Sequence, residues 1–172
     1  MPSSRRLITS TTLSSSAASV TFSGIPSGYK DLVLRYSVRS AIASTNDFIQ
    51  LRINGLSTSI YSDTTLYSAL TPLSTRGSSV AQLYAPRFSV NGGTTTSNTF
   101  SNGEIYIPSY TASQNKPVSG FAVTENNASD NAYKSVGAGL IQSTAAISSI
   151  ELFGFSNYIA GSSFYLYGLF DS

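Results

Sequence analysis

The stretch from Ser149 to Phe170 sets the tightest limit on the fold. From Ser162 onward, Phe164, Leu166 and Phe170 fall on one face with Gly168, and Tyr165, Tyr167 and Leu169 fall on the other. Period-two alternation among large apolar residues is the pattern of a half-buried antiparallel strand. Register is fixed by it, because a one-residue slip would turn every phenylalanine into solvent. With Ile147 to Phe153 before it, the segment reads as a closing hairpin. Phe164, Leu166 and Phe170 are assigned to the core, and Tyr165 and Tyr167 to the opposite face.

The same pattern recurs upstream. Ser4 to Thr12 reads as a first strand anchored by Leu7, and Val20 with Phe22 as a second, stopped at Gly24-Ile25-Pro26-Ser27-Gly28. Leu32, Leu34, Tyr36 and Val38 line one face of a third strand, with Arg35, Ser37 and Arg39 opposite. Ile49, Leu51 and Ile53 make the next, ending at the turn signal Asn54-Gly55. Residues 56–79 leave two readings open: a helical turn capped by Asp63, or a long irregular loop. Val80 to Tyr84 and Phe88 to Val90 are short strands separated by Pro86, and residues 91–98 are a polar loop. Then come Glu104 to Pro108, Pro117 to Thr124 with Phe121 and Val123 together, and Tyr133 to Gln142. In the last of these Val136, Ala138 and Leu140 lie opposite Gly137 and Gly139, glycines of the kind that mark a bulge or a close approach. About ten strands and no amphipathic helix predict an all-β protein, an antiparallel β-sandwich with jelly-roll character. Residues 1–172 form a single domain with a short N-terminal arm over about residues 1–6.

Composition narrows the function classes. Charged residues are only 10% of the chain, whereas serine and threonine account for 51 of its 172 residues. Solubility therefore rests on hydroxyls and amides. A net charge of +2 without a Lys/Arg run does not predict nucleic-acid binding. With no cysteine and no histidine, thiolate chemistry, a Ser-His-Asp triad and the commonest transition-metal ligand are all excluded. Apolar runs are far too short to span a membrane as helices, and no secretory signal is readable.

The remaining chemistry is sparse. Of the carboxylates Asp31, Asp47, Asp63, Glu104, Glu125, Asp130, Glu151 and Asp171, only Glu104 and Glu151 have an apolar, aromatic strand-end context. A glycosidase needs two facing each other, one held protonated; pairing with arginine or water is the plainer expectation. Lys30, Lys116 and Lys134 are the only lysines that could serve a Ser-Lys nucleophile. Glu125 to Asn131 is the densest group of oxygen donors, readable as a calcium loop or as an Asx-rich turn, and it contains the sequon Asn127-Ala128-Ser129. The chain is read as a non-enzyme with no cofactor and no metal. Arg35, Arg39 and Arg52 could form one basic patch if residues 40–48 paired their strands, or could simply line solvated faces. Tyr106, Tyr110, Tyr165 and Tyr167 are placed on strand faces away from the core. There they could form a subunit interface, pack under a second sheet, or stack on a glycan.

Several segments carry a resemblance. Val20-Thr-Phe-Ser-Gly-Ile-Pro-Ser-Gly-Tyr-Lys-Asp-Leu-Val-Leu34, Leu51-Arg-Ile-Asn-Gly55, Gly103-Glu-Ile-Tyr-Ile-Pro108, Val123-Thr-Glu-Asn126 and Ala160-Gly-Ser-Ser-Phe-Tyr-Leu-Tyr-Gly168 are similar to small structural proteins of tailed bacteriophages. The resemblance implies a virion component: a capsid decoration (cement) protein, or alternatively a tail or fibre module that binds a receptor or host glycan. Its partners would be capsid or tail subunits and further copies of itself, a homotrimer by analogy. It supplies no catalytic residues.

Overall fold

The computed structural model describes residues 5–68, 71–126 and 132–170, with the backbone alone for residues 85–88. Among the described residues there are twelve strands and no helix. They are β1 (Arg5–Thr12), β2 (Ala17–Ser23), β3 (Asp31–Val38), β4 (Asn46–Ile53), β5 (Tyr61–Ser68), β6 (Pro72–Val80), β7 (Leu83–Asn91), β8 (Ser101–Ile107), β9 (Lys116–Thr124), β10 (Tyr133–Ile141), β11 (Ser149–Tyr158) and β12 (Ser163–Leu169). Eight form one sheet in the order β1-β12-β3-β8-β9-β10-β5-β6, and four form a second in the order β2-β11-β4-β7. The sheets are antiparallel and stack as a β-sandwich. Their order does not establish a jelly roll.

The closing segment is not a hairpin. β11 pairs with β2 and β4 in the small sheet, whereas β12 pairs with β1 and β3 in the large one. The chain crosses the core between them, and the β1–β2 connection crosses beside it in the same way. Backbone bonds from Leu13 N to Ser162 O and from Gly161 N to Leu13 O, both 2.8 Å, tie the two crossings together. Only the β5–β6, β8–β9 and β9–β10 connections stay within a sheet. Alternation tells which side of a strand is inward, but inward residues of either sheet meet the same core, so the pattern is blind to the switch.

The core faces follow the alternation closely. Leu32, Leu34, Tyr36 and Val38 of β3, Ile105 and Ile107 of β8, and Phe164 and Leu166 of β12 are buried from the large sheet. Ile49, Leu51 and Ile53 of β4 with Val20 and Phe22 of β2 meet them from the small one. Two assignments change at strand ends. Phe170 lies just beyond β12, exposed, its ring 4.9 Å from that of Tyr29. Leu7 faces solvent, because an irregularity between Leu7 and Thr9 turns Ile8 to the core instead.

Residues 56–79 are neither a helical turn nor a long loop. Most belong to β5 and β6, and Asp63 is a buried strand residue accepting from Tyr84 N at 3.3 Å. Polar side chains obscured these strands: β5 buries Thr65 and Asp63 under β7, and no position of β6 is buried. Pro86 does not end a strand, because β7 is an edge strand and its register with β4 is broken around the proline. In β10 the glycines face inward. A Cβ on Gly139 would lie 2.6 Å from Leu83 Cδ1, so this is a close approach by β7, and the apolar side of β10 is left facing out.

Candidate functional site

The outer face of the large sheet is a continuous surface whose rows can be read from the strand register. One row runs Ser10, Tyr165, Arg35, Glu104, Phe121, Val136, Leu66, Ser74 across all eight strands. A neighbouring row runs Leu7, Tyr167, Val33, Tyr106, Ser119, Ala138, Thr64, Arg76. Both rows change character between β8 and β9.

On the β1-β12-β3-β8 side the face is sealed by its own side chains. Arg35 Nε donates to Glu104 Oε2 at 2.6 Å, and Arg5 Nη2 lies 3.6 Å from the same oxygen. The Arg5 guanidinium sits 5.4 Å from the centre of the Tyr167 ring, a cation–π distance. Tyr106 donates its hydroxyl to Asp31 Oδ2 at 2.8 Å, and Asp31 Oδ1 accepts from Ser109 N at 2.8 Å. Burial and the Asp31 bond raise the Tyr106 pKa above its ordinary value. Between the Tyr106 and Tyr167 positions, Val33 is only 2% exposed although it points away from the core.

On the β9-β10-β5 side nothing among the described residues covers the apolar side chains. Phe121, Val136 and Leu66 stand side by side, each about half exposed, with Val123 and Pro72 in the next row. They line a shallow trough of about 390 Å³. Lys134 and Arg76 flank it, both exposed. Arg76 Nη1 donates to Thr64 Oγ1 at 3.2 Å, and among the described residues neither cation forms an ion pair.

The expected basic patch does not form. Arg35 is on the large sheet and Arg52 on the small one, since the connection at residues 39–45 passes from one sheet to the other. Arg52 stacks 4.4 Å from the Phe153 ring centre, with Nη1 3.8 Å from Glu151 Oε2. Arg39 is buried, and its guanidinium bonds Thr95 Oγ1 and the carbonyls of Gly93, Thr95, Thr96 and Thr99 at 2.7–3.3 Å. It is the scaffold of the 91–99 loop rather than a surface cation. Tyr110 is likewise fully buried, past the end of β8, donating its hydroxyl to Pro26 O. Tyr106, Tyr165 and Tyr167 do lie on the outer face.

Glu104 and Glu151 are on opposite outer faces of the sandwich and cannot act on one bond; each is paired with arginine. Asp47 and Lys116, both named from the sequence, are fully buried, which nothing in the sequence indicated. Asp47 accepts from Ser40 Oγ, Phe48 N, Phe155 N and Ser156 N at 2.6–3.2 Å and so fixes the irregular stretch of β11. Lys116 donates to the carbonyls of Ala112, Gln114 and Ser143, and burial lowers its pKa. These partners are mostly backbone groups, which every residue carries, so no side-chain motif announces them. Of the calcium-loop reading only Glu125 and Asn126 are described; residues 127–131, with the sequon, lie outside the described residues.

The small sheet carries a second aromatic group on its outer side. Phe155, 59% exposed, meets Phe48 at 6.2 Å and Tyr84 at 6.1 Å between ring centres. Gln82 Nε2 beside it donates to Tyr84 OH at 2.6 Å and to Gln50 Oε1 at 3.1 Å. Comparison of the chain with protein-family models, curated proteins and solved structures returned no match.

Proposed function

We propose that the protein is a structural component of a bacteriophage virion, a capsid decoration protein that adheres through the outer face of its eight-stranded sheet. The observation that carries this reading is the uncovered apolar trough around Phe121, Val136 and Leu66. Contiguous exposed apolar surface is a mark of an association site. The sheet's edges argue for the face rather than for strand addition. β1 carries Arg5, Arg6 and an irregularity, and β6 begins at Pro72, carries Arg76 and has its own register break. Charge, proline and bulges are the usual guards of an open edge. The resemblance to small phage proteins supplies the kind of assembly. The role is mechanical: adhesion to neighbouring subunits adds binding free energy to the particle, and no catalysis is involved.

A tail or receptor-binding module is the second reading, favoured by the Phe155, Phe48 and Tyr84 group with its adjacent glutamine amides, a surface suited to stacking on a sugar. Deleting the gene from the phage separates the two. Loss of heat resistance in purified particles with unchanged adsorption to host cells is the expected result. Unchanged particle stability with lost adsorption would overturn decoration in favour of receptor binding.

A further inference from the structure

The rows of the large sheet say what kind of partner fits them. Across this outer face stand Arg5, Arg35, Lys134 and Arg76; among the described residues the carboxylates beside them are the partly buried Glu104 and the exposed Glu125, just past the end of β9. Glu104 is already held between Arg35 and Arg5. The two cations beside the trough are left without an ionic partner among the described residues. A net positive face around an apolar centre is complementary to an apolar centre edged with carboxylates. A second copy meeting it face to face would set Lys134 and Arg76 against another set of cations, which disfavours that occupant.

We infer that the outer face over β9, β10 and β5 docks an acidic protein surface, its apolar residues entering the trough and its carboxylates meeting Lys134 and Arg76. This deepens the docking face proposed above and rests on that reading for the identity of the partner, but not for its chemistry. Apolar contact at Phe121, Val136 and Leu66 supplies adhesion. The flanking cations steer the encounter and select against basic surfaces, an effect that salt weakens. The sealed half, with its cations already engaged, contributes little to this selection.

The test uses the purified full chain, isotope-labelled, titrated with a random glutamate–tyrosine copolymer and, in parallel, with the lysine–tyrosine counterpart. Amide shifts confined to β9, β10 and β5, seen with the acidic copolymer only and weakened by salt, are the expected result. Lys134→Glu with Arg76→Glu should lower the affinity about tenfold or more. Val136→Ser should lower it several-fold while its urea unfolding curve stays in place. Equal response to both copolymers, shifts elsewhere on the surface, or full affinity in the charge-reversed variant would overturn the inference. So would binding to vesicles of equimolar phosphatidylcholine and phosphatidylglycerol without copolymer binding, or a concentration-dependent dimer through this face. Finding the protein in purified virions by mass spectrometry tests the virion reading separately. Copolymer binding with no virion association defeats that reading and leaves the surface chemistry standing, and the reverse pattern defeats the chemistry alone.

Discussion

Two valines on the same side of the same sheet have opposite fates. Val33, on β3, is 2% exposed; Val136, on β10, is 53% exposed. Both face away from the core, so the sandwich itself covers neither. The difference lies in their cross-strand neighbours: Tyr106 and Tyr167 for Val33, Phe121 and Leu66 for Val136. Tyrosines carry rings long enough to lean over a neighbour and hydroxyls that find partners such as Asp31. The half of the face that holds them is finished by the chain itself. The other half ends in apolar side chains that cover one another only partly, and among the described residues no ring leans over them.

The comparison can be broken from the inside first. Beneath the sealed half, a Cβ on Gly168 would come within 2.2 Å of Tyr29 Cγ, at the fixed root of a ring. Gly168→Ala should cost about 2–3 kcal/mol in urea unfolding, while Gly139→Ala, which meets only the mobile end of Leu83, should cost about 1 kcal/mol. Equal costs would mean that the two halves are equally rigid. Next, Val33→Ala should cost about 2 kcal/mol, from two buried methyl groups and the space they leave. Val136→Ala should stay within about 0.5 kcal/mol. If Val136→Ala proves the costlier of the pair, the trough is closed in the isolated protein and the contrast fails.

Smaller effects sharpen the same contrast. Glu104→Gln leaves Arg35 and Arg5 without their carboxylate, but the pairs are partly exposed, so the loss should be under about 1 kcal/mol and should vanish in high salt. Tyr106 gives a pH signature. Its folded pKa is raised above the unfolded value near 10, so the stability it adds is complete below that value. That contribution is lost as pH rises through the folded pKa. Burial raises Tyr36, Tyr61, Tyr110 and Tyr158 as well, so absorbance titration should show one late-ionising phenol fewer in Tyr106→Phe than in the parent protein, with a slightly flatter decline of stability in alkali.

The sequence made the inward faces legible and the connections illegible. Leu32, Leu34, Tyr36 and Val38 advertise their common burial through spacing alone, as do Ile49, Leu51 and Ile53. Nothing in that spacing says that β3 and β4 belong to different sheets, so Arg35 and Arg52 were free to be imagined together. Arg39 looked like its neighbour Arg35, and only the folded 91–99 loop brings four carbonyls around it. In β10 the pattern was read correctly as two sides, and its glycines as a bulge or a close approach, of which the second is found at Gly139. Which side faced out depended on β7, a strand interrupted by a proline. The exposed apolar trough follows from that choice and was hidden with it.

The crossing of the chain ends has a consequence for how the protein is made. β12 lies between β1 and β3, and β11 lies between β2 and β4. Strands β1 to β4, within residues 5–53, are therefore neighbours only through β11 and β12, within residues 149–169. A growing polypeptide holds β1 to β4 without either of their shared partners until β11 and β12, about a hundred residues later, have been made. Such long-range pairing makes folding slow and leaves unpaired edges open meanwhile. A premature stop just before Ser162 would not yield a slightly shortened protein. It would leave β1 and β3 on either side of an empty lane, with the large sheet unable to close.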